Sequence, residues 1–191
     1  ANGGLPINLG IAKDDSDSLR EILATITGTD MLVTIGGASV GDYDLVKTVL
    51  GEEGLDITFS RVAMRPGKPL IFGKINGIPM LGLPGNPVSA GVTAALFLGP
   101  AISKMLGAEN TAHVTETAVL GLDLAENDKR QDYIRATLTI GGDGALTATP
   151  FDRQDSSMLA RFAEADCLVI RAPFAEPIKA GERVEIIRLD G

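Results

Sequence analysis

TIGGASVGDYD, at residues 34–44, lies between an apolar run that predicts a strand and a segment with helical spacing. LPGNPVSA, at residues 83–90, repeats the arrangement further along the chain. In α/β proteins such loops follow the carboxyl ends of strands, where small residues expose backbone N–H groups and the next helix begins with partial positive charge. The two stretches predict an α/β domain that binds a phosphorylated or oxyanionic small molecule.

The rest of the first half alternates helix and strand patterns. Apolar residues at helical spacing predict helices within residues 14–26 and 42–50, and a long apolar helix from 87 to 106 that ends at Gly107. This alternation predicts a three-layer α/β unit. The predicted strands are MLVTI at 31–35, read as a buried parallel strand, DITFSRVAM at 56–64, and the hairpin arms PLIFGK and IPMLGL around Asn76 and Gly77.

Beyond Gly107 the pattern changes to short β-rich runs separated by glycine, proline and acidic turns. Only residues 156–165 predict a helix there. Such spacing indicates a small antiparallel β-barrel or sandwich. We therefore predict two domains, an α/β domain at residues 1–109 and a β-barrel domain at residues 110–191.

The composition argues against several functions. A net charge of −8 and an isoelectric point near 4.6 argue against nucleic acid as a partner, because that role needs a basic surface. The single cysteine, Cys167, cannot build a disulfide framework, and the single histidine, His113, makes histidine-based catalysis a poor prediction. Because no apolar run suggests a membrane span and no signal peptide is visible, we predict no membrane contact and a cytoplasmic location.

The glycine loop has a chemical interpretation. Gly36, Gly37 and Gly41 permit close approach of a ligand, and Ser39 adds a hydroxyl donor. A carboxylate beside phosphate oxygens can share a Mg²⁺ ion, and Asp44 is placed for that role. A purely structural turn would use similar residues, so this loop alone leaves both interpretations open.

RPGKP, at residues 65–69, adds two cations in a stiff turn. Arg65 offers paired donors to an oxyanion, and Lys68 offers a mobile point charge. In LPGNP, Gly85 exposes backbone and Asn86 can cap the following helix. An exposed basic hairpin loop and a plain strand-to-helix turn are the structural alternatives. Three such loops in one α/β domain favour a binding site.

Several segments closely resemble one family. TIGGASVGDYDLVKTVL, VAMRPGKPLIFGKI and MLGLPGNPVSAGVTAALFLGPAISKMLG resemble the molybdopterin molybdenumtransferase family, to which the E domain of gephyrin also belongs. RQDYIR at 130–135 and QDSSMLARFAEADCLV at 154–169 are similar to motifs of that family's C-terminal barrel. The resemblance implies a molybdopterin-binding α/β domain, truncated at its N-terminus relative to the family, and then the barrel domain. The family's N-terminal domains and its TGDEL stretch have no counterpart here.

The resemblance implies an activity as well. Family members take adenylylated molybdopterin and molybdate, release AMP by Mg²⁺-dependent hydrolysis of the phosphoanhydride, and leave molybdenum on the dithiolene. By this resemblance Asp44 would be catalytic and hold the metal, and Lys68 would be catalytic at the molybdate. For the barrel contact to molybdate, Arg135 is preferred to Arg130. The implied substrate-binding residues are Gly36, Gly37, Ser39, Gly41, Arg65, Pro69, Gly85, Asn86, Ser89, Arg135 and Ser156.

Alternatives remain open at this stage. Arg65 stands where the family motif usually has lysine, and the two cations are not equivalent at a tight oxyanion site. The family forms elongated homodimers, which implies a homodimer here. A non-catalytic pterin-binding or scaffold module of the same fold is one alternative function, and a related nucleotide pyrophosphatase-like domain is another. Tungstate is not distinguished from molybdate.

Overall fold

The computed structural model describes residues 3–13, 15–37, 45–142 and 144–189. The first unit has the helices α1 (Ser16–Ala24), α2 (Leu45–Glu52), α3 (Pro87–Thr93) and α4 (Gly99–Met105), and the strands β1 (Leu32–Ile35), β2 (Leu55–Arg61), β3 (Met64–Arg65), β4 (Pro69–Ile75) and β5 (Ile78–Leu83). The second unit has β6 (Glu116–Leu120), β7 (Gln131–Ile140), β8 (Leu146–Pro150), α5 (Leu159–Ala163), β9 (Cys167–Arg171) and β10 (Arg183–Arg188).

The first unit is a mixed sheet covered by helices on both faces. Its strand order is β1-β5-β4-β2, with β1 and β5 parallel and the other pairs antiparallel. Leu23 and Ile26 of the α1 segment pack on one face of the sheet. Ala90 and Phe97, from the segment that begins with α3, pack on the other. The predicted three-layer α/β unit is therefore confirmed.

Strand β1 differs from its prediction. MLVTI was expected to be a buried parallel strand. It is parallel to β5, but within the described residues β1 pairs only with β5 and forms the sheet edge. As a result Ile35 is 71% exposed and Val33 is 36% exposed. The β4–β5 hairpin is as predicted, because Asn76 and Gly77 both have positive φ values, 50° and 83°, the geometry that a two-residue turn requires.

The segment α3 to α4 forms one long helical stretch with a π-helical turn at Ala94–Leu98. By length and composition the stretch Pro87–Met105 is apolar enough to cross a membrane, so the prediction that no run suggests such a span is wrong. A core helix meets the same criteria, and Val88, Val92 and Leu96 on its inner face are buried between the two units.

The second unit is a five-stranded barrel. Strands β7, β8, β6, β10 and β9 follow one another, and pairing of β9 with β7 closes the ring. The predicted barrel is confirmed, but its pairing is mixed rather than wholly antiparallel. The chain crosses from β6 to β7 before it returns as β8, so β6 and β8 run parallel. Ala136 and Ala148 are fully buried in its core.

The two units are joined by backbone and by side chains. β3, which comes from the first unit, pairs in parallel with the start of β7, with Met64 opposite Gln131 and Arg65 opposite Asp132. The boundary between residues 109 and 110 stays a prediction. A shared core lies beside this pairing and contains Met64, Val88, Val92 and Leu96 from the first unit with Leu168 and Ile187 from the barrel.

Candidate functional site

The two glycine-containing loops meet at one edge of the sheet. Because β1 and β5 are parallel, the loops that follow them leave from the same end, and the Gly36 N–H donates to the Leu83 carbonyl at 3.0 Å. A Cβ atom at Gly85 would lie 3.4 Å from the Gly36 Cα, so the loops touch through backbone. Gly36 and Gly37 have φ values of 87° and 68°, which glycine adopts freely. The predicted site residues Ser39, Gly41 and Asp44 lie outside the described residues.

The RPGKP turn lies against the helix that follows LPGNP. Gly67 has a φ of 106°, and a Cβ there would come within 2.4 Å of the Thr93 Cγ2, so only glycine allows this close packing. The peptide bond between Arg65 and Pro66 is cis. Lys68 is exposed, and its backbone carbonyl accepts from the Val62 N–H at 3.0 Å. The turn therefore holds Lys68 at the surface between the two units.

A cavity of about 260 Å³ opens beside this turn. It brings together the predicted residues Arg65, Lys68, Pro69, Ser89 and Ser156, which come from both units and from positions as far apart as 65 and 156. The full lining is Met64, Arg65, Pro66, Gly67, Lys68, Pro69, Ser89, Arg130, Gln154 and Ser156.

Ser156 links this cavity to the glycine loops. The Asn86 Nδ2 donates to the Ser156 Oγ at 2.9 Å, and the Val88 N–H donates to the Ser156 carbonyl at 3.2 Å. The possibility that Asn86 caps the helix through its side chain is not realised, because its amide makes no cap hydrogen bond and binds Ser156 instead. Ser156 thus contacts the LPGNP loop and lines the cavity.

Arg135 is buried rather than cavity-lining. It is 1% exposed, and its Nε donates to the Gln154 Oε1 at 3.2 Å, while Nη1 and Nη2 have no hydrogen-bond partner. Burial lowers the pKa of this guanidinium, and the charge of Asp155 opposes that shift. The Asp155 carboxylate itself accepts from the Ser157 N–H and Oγ, both at 2.8 Å. Arg135 is therefore a buried cation with donors to spare, connected to the cavity through Gln154.

Arg65 is in the opposite situation. Its Nε donates to the Asp132 Oδ1 at 2.8 Å, its Nη2 donates to the Asp132 Oδ2, and Asn127 and Asp128 contact it more loosely. The hydrogen bond to Asp132 raises the pKa of Arg65. A hydrogen bond from Arg130 lowers the pKa of Asp128 to about 2. Arg65 lines the cavity as expected, but its charge is balanced by carboxylates of the barrel.

The sequence reasoning missed three residues around this site. Gln154 and Asp132 lie inside the quoted motifs QDSSML and RQDYIR, but neither was assigned a role. Asn127 fixes its surroundings by donating to the Arg130 and Ala172 carbonyls, both at 2.8 Å. All three lie in polar stretches of the sequence, ENDKRQD and DRQDSS, so no local pattern sets them apart from surface residues. In the structure Asn127 and Asp132 are buried, and Gln154 is exposed.

The described residues contain no group of three or more His, Cys, Asp or Glu side chains that could hold a metal ion. The predicted Mg²⁺ ligand, Asp44, falls in the stretch 38–44 that the structure does not describe. The magnesium site therefore stays a prediction.

Comparison with known proteins gives two family matches. Residues 1–104 match the family described as "Probable molybdopterin binding domain", and residues 117–189 match "MoeA C-terminal region (domain IV)". Together these matches cover both structural units.

Individual relatives give the same result. The chain is 32% identical over 184 residues to a molybdopterin molybdenumtransferase of Haemophilus influenzae, covering 94% of this chain and 45% of that protein. It is 31% identical over 186 residues to the Bacillus subtilis enzyme of that name, covering 97% and 43%. A molybdopterin biosynthesis MoeA protein from Pyrococcus horikoshii superposes with a TM-score of 0.77 at 30% identity, over 96% of this chain and 43% of that one. The chain spans less than half the length of these relatives.

Proposed function

The chain belongs to the MoeA family of molybdopterin molybdenumtransferases, and on that basis we propose that it binds adenylylated molybdopterin and molybdate and inserts molybdenum with release of AMP. Its place would then be in molybdenum cofactor biosynthesis. We further propose that it works in the cytoplasm as a homodimer, as the family resemblance implies.

One observation carries the molybdate part of the proposal. Lys68, Ser89 and Ser156 converge on one cavity, and the nearby Arg135 is buried with two unpartnered Nη groups. A tetrahedral dianion is bound by cations and hydroxyl donors that converge on it, and buried donors without partners favour an incoming acceptor. The cavity, at about 260 Å³, is several times the roughly 30 Å³ that a water occupies in the liquid.

The glycine loops support the phosphate part. Gly37 and Gly85 are exposed where the loops meet, which suits close approach of the pterin phosphate, while the half-buried Gly36 donates its N–H to the Leu83 carbonyl. Because Asn86 binds Ser156, a phosphate held there would lie next to the oxyanion cavity. Lys68 would neutralise negative charge where the two anionic substrates approach each other.

The hydrolytic step adds water across the phosphoanhydride and frees AMP from the pterin's own phosphate. Mg²⁺ held by Asp44 would supply charge neutralisation for that step. Lys68, Ser89 and Ser156 would bind and orient the two anions for that step.

The proposal is tested by molybdate binding to the full chain, measured by equilibrium dialysis. Lys68→Met should weaken binding about tenfold or more, because a cation facing a dianion is lost. The matched control is Lys74→Met, an exposed lysine on β4 that does not line the cavity and should leave the affinity unchanged. Release of AMP from adenylylated molybdopterin, with and without molybdate, then tests catalysis.

Each outcome separates the candidate functions. Molybdate binding with molybdate-dependent AMP release supports the transferase. Binding without AMP release supports the non-catalytic pterin-binding or scaffold module. AMP release that ignores molybdate supports a pyrophosphatase-like activity, and absence of both binding and release contradicts the proposal.

A further inference from the structure

Every donor and acceptor position of the Gln154 side-chain amide makes a hydrogen bond, and all the partners belong to Arg135 or to Phe151. Its Oε1 accepts from the Arg135 backbone N–H at 3.0 Å and from the Arg135 Nε at 3.2 Å. Its Nε2 donates to the Arg135 and Phe151 carbonyls, both at 3.0 Å. An amide side chain has two acceptor and two donor positions, so the group is saturated and its orientation is fixed.

This arrangement also fixes the arginine. With Nε tied to Gln154 and the backbone held by the same amide, the Arg135 guanidinium keeps one direction and leaves Nη1 and Nη2 free. Those two groups are buried and unpartnered, so an oxyanion that entered beside them would supply their missing acceptors. Gln154 itself lines the cavity that holds Lys68, Ser89 and Ser156, so the fixed arginine adjoins that cavity.

The neutrality of the acceptor matters as much as its position. At Arg65 the acceptor is the Asp132 carboxylate, which balances the charge. At Arg135 the acceptor is an uncharged amide, and the described residues form no salt bridge with this guanidinium within 4.0 Å. Two arginines of one chain are thus held in the same manner by acceptors of different charge. Arg65 is paired directly with a carboxylate, whereas Arg135 has only the charge of Asp155 acting on it without a hydrogen bond.

We propose that Gln154 is a positioning residue that orients Arg135 for a tetrahedral oxyanion and, because it is neutral, preserves the charge of the arginine. The inference rests on the proposed function, in which molybdate occupies the adjoining cavity. A neutral residue of the barrel unit would then control the affinity for the anion at a site that both units share.

The test compares two isosteric charge changes in the full chain. Gln154→Glu keeps an acceptor for the Arg135 Nε but adds a carboxylate beside the site, and should weaken molybdate binding about a hundredfold. Gln131→Glu makes the same change at the start of β7, where the amide donates to the Tyr133 hydroxyl at 2.7 Å, and should leave the affinity unchanged. Gln154→Met removes the amide without adding charge and should weaken binding about tenfold.

A second readout separates positioning from structure. Sulfate keeps its double charge over mildly acidic pH, so it serves as the probe for a pH series. In Gln154→Glu, sulfate affinity should rise as the introduced carboxylate is protonated. In Gln154→Met it should stay flat, because hydrogen bonds from the Ser157 N–H and Oγ lower the pKa of Asp155, the other carboxylate that acts on Arg135. A merely structural role would lower the unfolding midpoint of both variants and give neither the affinity difference nor the pH dependence.

The outcomes are distinguishable. Tight molybdate binding by the wild type with equal binding by Gln154→Glu overturns this inference and leaves the proposed function intact. No binding by the wild type overturns both. Loss of binding in Gln154→Glu that is matched by Gln131→Glu also overturns the inference, because net charge alone would then explain the effect.

Discussion

At the scale of single residues, the site is defined by whether hydrogen-bond acceptors pair with the guanidinium groups of two arginines. Arg65 is paired with Asp132, whose side chain is 8% exposed, and belongs to the joint between the units. Arg135 is 1% exposed and leaves two Nη groups without partners. Desolvated donors without partners destabilise a free protein, and their retention is typical of a ligand site.

Arg135→Met should therefore stabilise the free protein while abolishing its response to molybdate. Each buried unpartnered donor costs about 1–3 kcal/mol, whereas the one hydrogen bond lost to Gln154 is worth about 1 kcal/mol. We expect the free energy of unfolding in urea to rise by about 1–2 kcal/mol in the variant without anion. Added molybdate should stabilise only the wild type. A variant that is less stable and still responds to molybdate would contradict this role of Arg135.

At the scale of secondary structure, α5 packs against α3 through a glycine. A Cβ at Gly91 would lie 2.3 Å from the Phe162 Cε1, so α5 sits against bare backbone of α3. This contact holds the segment after residue 154 onto the helix that carries Ser89. Ser156 is fixed from the same side by the Asn86 amide and the Val88 N–H.

Gly91→Ala should destabilise the protein and weaken molybdate binding together. The added methyl group must displace the Phe162 ring, and overpacking of this kind costs about 1–3 kcal/mol. The matched control is Gly51→Ala in α2, where a Cβ meets nothing within 4 Å and helix propensity predicts a gain of about 0.5–1 kcal/mol. Urea unfolding and equilibrium dialysis measure the two effects. Equal behaviour of the two alanine variants would show that the α3–α5 contact is not tight.

The sequence predicts these elements well because their signals are local. The Asn76–Gly77 turn, the helix begun by Pro87 and the close approach that Gly36 and Gly37 permit each depend on one or two residues. The exposure of Ile35 on β1 and the parallel pairing of β6 with β8 depend on strand order, which no short pattern encodes. The convergence of Lys68, Ser89 and Ser156 was implied only by the family resemblance, since their chain separation hides it.

At the scale of the whole molecule, the site exists because the two units fold against each other. Lys68 and Ser89 come from the first unit, and Ser156 and Gln154 come from the second. The shared core around Met64, Leu168 and the inner face of α3 lies beneath this junction. Two units joined by a common core are expected to unfold together.

Asp132→Asn tests that cooperation. Removing one partner of a buried ion pair costs about 3–5 kcal/mol, but the Arg65 side chain is 47% exposed, so we expect a loss of about 1–2 kcal/mol. Because the pair spans the junction, amide hydrogen exchange in β5 and in β8 should show the same loss of protection.

The control is Asp123→Asn, which breaks the exposed pair with Lys179 inside the barrel alone and should change neither sheet appreciably. A double-mutant cycle that combines Asp132→Asn with Arg65→Met should return a coupling energy of about 1 kcal/mol or more, since each single change removes the same interaction. If protection falls only in β8, the barrel unfolds independently of the α/β unit. Lys68 and Ser156 would then come together only when the folded barrel docks on α3. Molybdate binding would in that case weaken under conditions that unfold the barrel alone.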